Sequence, residues 1–255
     1  MKTPPLLTSP ALTTLGIPHA FTTRHTPLDA ALQQLRLNPD HCVTAHQVHG
    51  CAVSHPDARL AEADAIVVTT LGHAAAIRIA DCVPVLLAAH TPTPPRGDAA
   101  SAASSPAQTL AVAAAHAGWR GLVANVLREA VDTLRADHPD AAITAAIGPC
   151  ISVQHFEVSP EVADHFDPTH VQYDLPSDPS KPHVDLRAAA HQQLQAAHVT
   201  AIDHVPGCTY AEPDRFFSHR RDVTHHQHDT TGRQHALIAM PPSNTPAASL
   251  TQRST

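Results

Sequence analysis

Aromatic side chains make up only 3% of the 255 residues, with a single tryptophan, two tyrosines and five phenylalanines. A core must therefore be assembled from Ala, Val, Leu and Ile, which the 43% hydrophobic fraction supplies. Positive charge is scarce as well. Sixteen Lys and Arg stand against 23 Asp and Glu, a formal net charge of −7, which excludes the basic face of a nucleic-acid backbone binder. No apolar run reaches the roughly 18 residues that a membrane-spanning helix needs. The opening stretch MKTPPLLTSPALTTLGI is broken by proline and lacks the continuous apolar segment of a secretory signal. Five scattered cysteines, an odd number, give no disulfide framework. Together these absences lead us to expect a reduced, cytoplasmic, globular protein with neither membrane nor nucleic acid as a partner.

Histidine is present in excess, at 22 residues, beside much Ala, Pro and Thr. Such a compositional bias lowers the meaning of any lone imidazole. Short apolar runs recur at Ala65–Thr70, Ala75–Ile79, Pro84–Ala89, Leu110–Ala115, Ile143–Ile147, Ile202–Val205 and Ala236–Met240, and their length and Val/Ile content suit buried strands. One helix is expected after the GWRG turn, where Leu122, Val123, Val126, Leu127, Ala130, Val131 and Leu134 recur at spacings of three and four. A second fits Asp185–Ala197 with Asp185 as its N-cap, and a third, short one begins at Ser159-Pro160. The breaker-rich stretch at about 90–108 reads as a flexible insertion and 241–255 as a disordered tail. No repeat or composition shift divides residues 1–240, so one domain of mixed sheet and helices is expected.

Three segments concentrate chemistry: HQVHG around His49, IADCVPVL around Cys82 and AAAHAGWRG around His116. Each sets one metal-capable side chain at the edge of a strand-like run. Two imidazoles and a thiolate, with no fourth ligand in the same style, are what a zinc site with an open position requires. Taken alone, Cys82 reads equally as a packed structural thiol, but Asp81 beside it is a carboxylate in an apolar stretch and needs a partner. Past His116, Gly118 and Gly121 permit close backbone approach, and Arg120 offers a bidentate guanidinium, so the turn reads as an anion pocket beside a ligand. Arg220 and Arg221 could hold a second anion or pair with Asp81 and Asp222. His225, His226 and His228 read as a loop.

The stretches QVHG at 47–50, ADAIVV at 63–68, ADCVPVLL at 80–87, HAGWRG at 116–121, IGPCISVQHFEV at 147–158, CTY at 208–210, FFSHRRD at 216–222 and TGRQHALI at 231–238 occur in this order. In that combination they resemble the laccase-domain family, also called multicopper polyphenol oxidases, now associated with purine nucleoside phosphorylase activity. The resemblance implies an α/β (α+β) mixed-sheet sandwich with flanking helices, similar to cytotoxic-necrotising-factor catalytic domains. It places metal ligands on His49, Cys82 and His116. It further implies a zinc-dependent enzyme that cleaves adenosine, inosine and methylthioadenosine with phosphate to base and ribose 1-phosphate, and that also deaminates adenosine. Asp81, Cys82 and His116 are then the catalytic candidates, and Gln47, Arg120, His219 and Arg220 the substrate and phosphate contacts. The segment between FTTR and QVHG is shorter than is usual in the family, and the Pro-rich and VTHHQHD insertions are atypical.

Two other readings stand beside this one. The older family name suggests a copper oxidase, but such enzymes need several His-x-His pairs and His226/His228 is a single one; one Cys-His-His site suits zinc at least as well. Alternatively, Cys82 is a nucleophile activated by His116 in an amide hydrolase that edits peptidoglycan precursors. Oligomeric state is not legible in the sequence.

Overall fold

The computed structural model describes residues 6–56, 59–92, 107–176, 178–199 and 201–242. Most of the expected insertion and of the expected tail lie outside these residues. The described strands are β1 (His19–Phe21), β2 (Cys42–Val43), β3 (Val53–Ser54), β4 (Ala65–Val68), β5 (Ala74–Ile79), β6 (Val83–His90), β7 (Thr109–Ala117), β8 (Ala142–Ile147), β9 (Val171–Gln172), β10 (His183–Val184), β11 (Ala201–His204) and β12 (Gln234–Ala239). The helices are α1 (Pro10–Thr14), α2 (Leu28–Gln34), α3 (Trp119–Val123), α4 (Val126–Asp137), α5 (Pro160–Ala163) and α6 (Leu186–Ala196).

Six strands form one mixed sheet in the order β11-β8-β6-β7-β4-β3, and four form another in the order β1-β12-β5-β2. Period-two alternation of apolar residues decides how they stack. From the six-stranded sheet, Ile66, Val68, Leu86, Ala88, Val112 and Ala114 face Ala75, Ile77, Ile79, Ala236 and Ile238 of the other. The intervening residues Ala65, Val67, Val85, Leu87, Ala113 and Ala115 face away, onto Leu122, Val126, Leu127, Val131 and Leu134 of α3 and α4 and onto Leu194 of α6. On the far side, Ala74, Ala76, Leu237 and Ala239 pack on Ala31 and Leu32 of α2. The result is a sheet-on-sheet sandwich covered by helices. Every expected apolar run is a strand, and alanine at so many facing positions replaces aromatic bulk in the core.

The expected helix after GWRG is two helices. Asn125 adopts a left-handed conformation (φ 64°) between α3 and α4, a conformation Asn tolerates better than most residues. Gln193 of α6 repairs the break: its amide oxygen accepts from Leu127 N at 3.0 Å and its NH2 donates to the Leu122 carbonyl at 3.0 Å. Val123 consequently leaves the apolar stripe and is exposed. In α6 the expected cap holds, with the Asp185 carboxylate accepting from Ala188 N at 2.9 Å. α5 begins with Pro160 directly after Ser159. At the mouth of the Pro-rich stretch, Thr91 N donates to the Gln108 carbonyl at 2.9 Å, so its ends are closed by the β6–β7 hairpin.

Candidate metal centre

Strand register builds the site. Val83 pairs with Ala117 and Pro84 with His116, while Ala65 pairs with Ala115. The start of β6, the end of β7 and the start of β4 therefore meet at one edge of the six-stranded sheet, with Cys82, His116 and Asp64 at their tips. The loop leading to β3 brings in His49. One ligand atom from each of His49, Cys82 and His116 lies within 4.8 Å of the others. His49 is exposed, Cys82 half-buried and His116 buried, so the cluster opens to solvent on the His49 side.

Asp64, fully buried, organises this edge. One carboxylate oxygen accepts from His116 Nδ1 at 2.8 Å and from His49 N at 3.0 Å. The other accepts from Gly50 N at 2.7 Å and Val48 N at 3.2 Å. These bonds hold the His49 loop, in which His49 itself has a positive φ of 62°. They also fix the His116 tautomer: a proton on Nδ1 leaves Nε2 to face the cluster. Burial pushes the Asp64 carboxyl up, but the bonds from His116, Gly50 and Val48 outweigh it and hold the group below its usual range. Asp64 was not singled out in the sequence, although a lone carboxylate at the head of the buried run AIVV was the available signal.

Burial pushes the Cys82 thiol up, yet the charge of His116 and hydrogen bonds from His116 and His49 bring it down to about 6. His116 responds in the opposite sense. Burial lowers it, but the Cys82 thiolate and the Asp64 carboxylate raise it to about 9. Gly118 leaves the room these side chains need, because a Cβ there would lie 3.0 Å from Cys82 Sγ and 3.1 Å from His49 Cδ2. A soft sulfur and two ring nitrogens fit zinc, and an oriented imidazole backed by a carboxylate is the outer shell that such a site uses.

The remaining candidates are spread around this edge. The Gln47 side chain bonds the backbone of Arg78 twice, at 2.9 and 2.8 Å, and pins the loop from its other side. Asp81, at φ 86°, spends both oxygens, one on Thr209 Oγ1 at 2.7 Å and one on Arg220 N at 2.6 Å. Arg120 is exposed and stacks on Trp119, its guanidinium carbon 4.3 Å from the ring centroid. It sits in α3, which starts at Trp119 rather than near Gly121 and is five residues long, so the guanidinium rather than a helix terminus is what the turn offers an anion. His219 is exposed. Arg220 pairs with Glu157 at 2.7 Å and also bonds the Glu157 carbonyl at 2.8 Å. Arg221 is buried on the carbonyls of Thr209, Tyr210 and Phe216 and on Asp222. His225 bonds Tyr210 and Glu157. Asp81 thus meets the backbone of the double-arginine segment, while the arginine side chains pair elsewhere.

Comparison with known proteins shows the family. The family model for multi-copper polyphenol oxidoreductase laccase matches residues 25–94 and 103–241. The chain belongs to this family. A Pseudomonas aeruginosa protein named purine nucleoside phosphorylase is 35% identical over 197 residues, covering 75% of this chain and 71% of the relative. A protein named adenosine deaminase RL5, from an unknown prokaryotic organism, is 33% identical over 216 residues, covering 76% of each. The crystal structure of a Neisseria meningitidis protein superposes with a TM-score of 0.63 at 32% identity, covering 84% of this chain and 79% of that one. Among the described residues no helix is long and apolar enough to cross a membrane.

Proposed function

We propose that this chain is a zinc-dependent enzyme of nucleoside metabolism. It would split adenosine, inosine and methylthioadenosine with phosphate into base and ribose 1-phosphate, and deaminate adenosine as a second activity. The observation that carries this reading is the convergence of His49, Cys82 and His116 within 4.8 Å, in a chain whose relatives bear both activities in their names. When bound, zinc supplies Lewis-acid polarisation at an open coordination position. The chain's residues do the rest. Asp64 orients His116 and, through three backbone N–H groups, the His49 loop. Gln47 anchors that loop, Asp81 braces the turn beside Cys82, and Arg120, with His219 and Arg220 from the neighbouring segment, is the candidate contact for phosphate. Because Arg220 is paired with Glu157, Arg120 is the freer of the two guanidinium groups. Copper is the less favoured metal, since the described residues contain this one three-ligand group. The domain is taken as residues 1–240, and its partners as nucleosides and phosphate.

A second reading is favoured by one observation, the 2.8 Å hydrogen bond that His116 Nδ1 donates to Asp64. It completes a Cys82–His116–Asp64 array of nucleophile, base and orienting carboxylate, as an amide hydrolase would need. Incubation of purified protein with adenosine, with and without phosphate, decides between the two. Adenine with ribose 1-phosphate supports phosphorolysis, and inosine supports deamination. No conversion by zinc-loaded protein, with amide cleavage that survives a chelator, would overturn the nucleoside reading.

A further inference from the structure

Two thiols outside the metal cluster, Cys150 and Cys208, are used by neither reading. Their backbones run parallel and pair as a β-bridge, with Thr209 N donating to the Cys150 carbonyl at 3.1 Å. Neighbouring extended chains lie about 4.8 Å apart, inside the window of about 4.4–6.8 Å between Cα atoms in which a disulfide closes. Directly paired residues also share a face. Both sulfurs are free thiols, Cys150 buried and Cys208 half-buried. Cys208 Sγ accepts from the backbone N–H groups of Ser152 and Ala211, both at 3.4 Å, and contacts Ser152 Oγ at 3.2 Å. Arg187 Nη2 approaches Cys150 Sγ at 3.6 Å while holding the Gly207 carbonyl at 2.9 Å. Two backbone N–H groups thus point at the sulfur of the more exposed thiol, Cys208, the one a small molecule reaches first.

We propose that Cys150 and Cys208 are a modification site that closes a reversible disulfide, with Cys208 as the entry thiol and a low-molecular-weight disulfide as the oxidant. The Cys208 thiolate attacks the small disulfide, breaks its S–S bond and expels one thiolate, leaving a mixed disulfide. Cys150 gives up its proton to solvent, attacks the Cys208 sulfur and expels the second small thiolate. The two electrons lost by the protein thiols reduce the small disulfide to two thiols. Arg187 remains anchored on Gly207 when Cys150 turns away. Burial pushes Cys150 up to about 11, so the second step is the slower one and quickens in alkali. The bond would tie the segment after β8 to the residue preceding Thr209, whose hydroxyl holds Asp81 beside Cys82.

The test is peptide mapping of the full chain after incubation with excess oxidised glutathione in mildly alkaline buffer and alkylation of remaining thiols. The expected result is that most Cys150 is recovered crosslinked to Cys208, that dithiothreitol reverses the link, and that Cys42 stays alkylated. Recovery of Cys150 and Cys208 as separate alkylated or glutathionylated peptides, or of either linked to Cys82, would overturn the proposal. In Cys208→Ser, Cys150 should remain alkylatable and free of glutathione. The wild-type map decides the matter if that variant does not fold.

Discussion

Cys82 and Cys150 are both cysteines near strand ends of one sheet, Cys82 directly before β6 and Cys150 three residues after β8. Their surroundings drive them apart. Cys82 comes down to about 6 against the penalty of burial because imidazoles flank it and one of them is backed by Asp64. Cys150 goes up to about 11 because burial dominates, although Arg187 lies beside it. A neighbouring cation that is shared with a carbonyl, and offset by Asp185, does not make a thiolate site. Two rings, one of them held by a buried carboxylate, do. Convergence of imidazoles, rather than burial or strand-end position, is what brings Cys82 down and marks it as the thiol of the metal cluster.

The sharpest way to break this comparison is to exchange the sulfurs for oxygen. Cys82→Ser should lower nucleoside turnover by about 10³-fold or more, as expected when a ligand or nucleophile is lost. Cys150→Ser should keep turnover within a few-fold and cost about 1–3 kcal/mol of stability by leaving a buried hydroxyl less well served. Kinetics and denaturant melts on both variants check the pair. Equal losses of turnover would abolish the distinction.

Next in size is Asp64→Asn, which keeps the shape and removes the charge. Outer-shell changes of this kind cost about 10–100-fold in metal affinity or activity, and competition with a fluorescent chelator measures the loss. Unchanged affinity would show that Asp64 only braces the fold. A glycine pair sharpens the same contrast. Gly118→Ala places a methyl 3.0 Å from Cys82 Sγ and should weaken metal binding while the fold persists. Gly148→Ala drives a methyl to 2.2 Å from the Phe21 ring and should cost stability instead. Melting curves beside metal titrations separate the two.

Acid should expose a second contrast, between His116 and the structural imidazoles. Ser9 N donates to His19 Nε2 at 2.8 Å, so His19 sits neutral with its proton on Nδ1, directed at the Ile17 carbonyl. Burial holds His19 and His235 below the usual histidine value of 6.5. The unfolded chain therefore binds protons first as pH falls. The stability these groups contribute is complete above about 6.5 and is lost below it. Melting temperature should fall from pH 7 to pH 5, and His19→Gln should flatten part of that slope. A slope unaltered in the variant would remove His19 from the account. The smallest effect expected is at Arg120→Lys, which keeps charge but loses the fork, and should raise the KM for phosphate a few-fold with deamination little changed.

Much of this was legible from the chain. The apolar runs named the central strands, Asp185 and Ser159-Pro160 marked helix starts, and His49, Cys82 and His116 stood out by chemistry. Other features depended on pairing between distant segments. Asp64 matters only because Ala65 is in register with Ala115, which sets it against His116. The break at Asn125 is stabilised by Gln193 from another helix, so local periodicity read straight through it. Arg220 reads as an anion contact in sequence but meets Glu157, which no spacing rule connects to it.

The central claim is that His49, Cys82 and His116 act as one metal centre. Calorimetric titration of metal-free protein with zinc tests it most directly. The account predicts about one zinc per chain for wild type and for Cys150→Ser, with tight binding abolished in Cys82→Ser. Full zinc binding by a folded Cys82→Ser variant, or none by wild type, would contradict it.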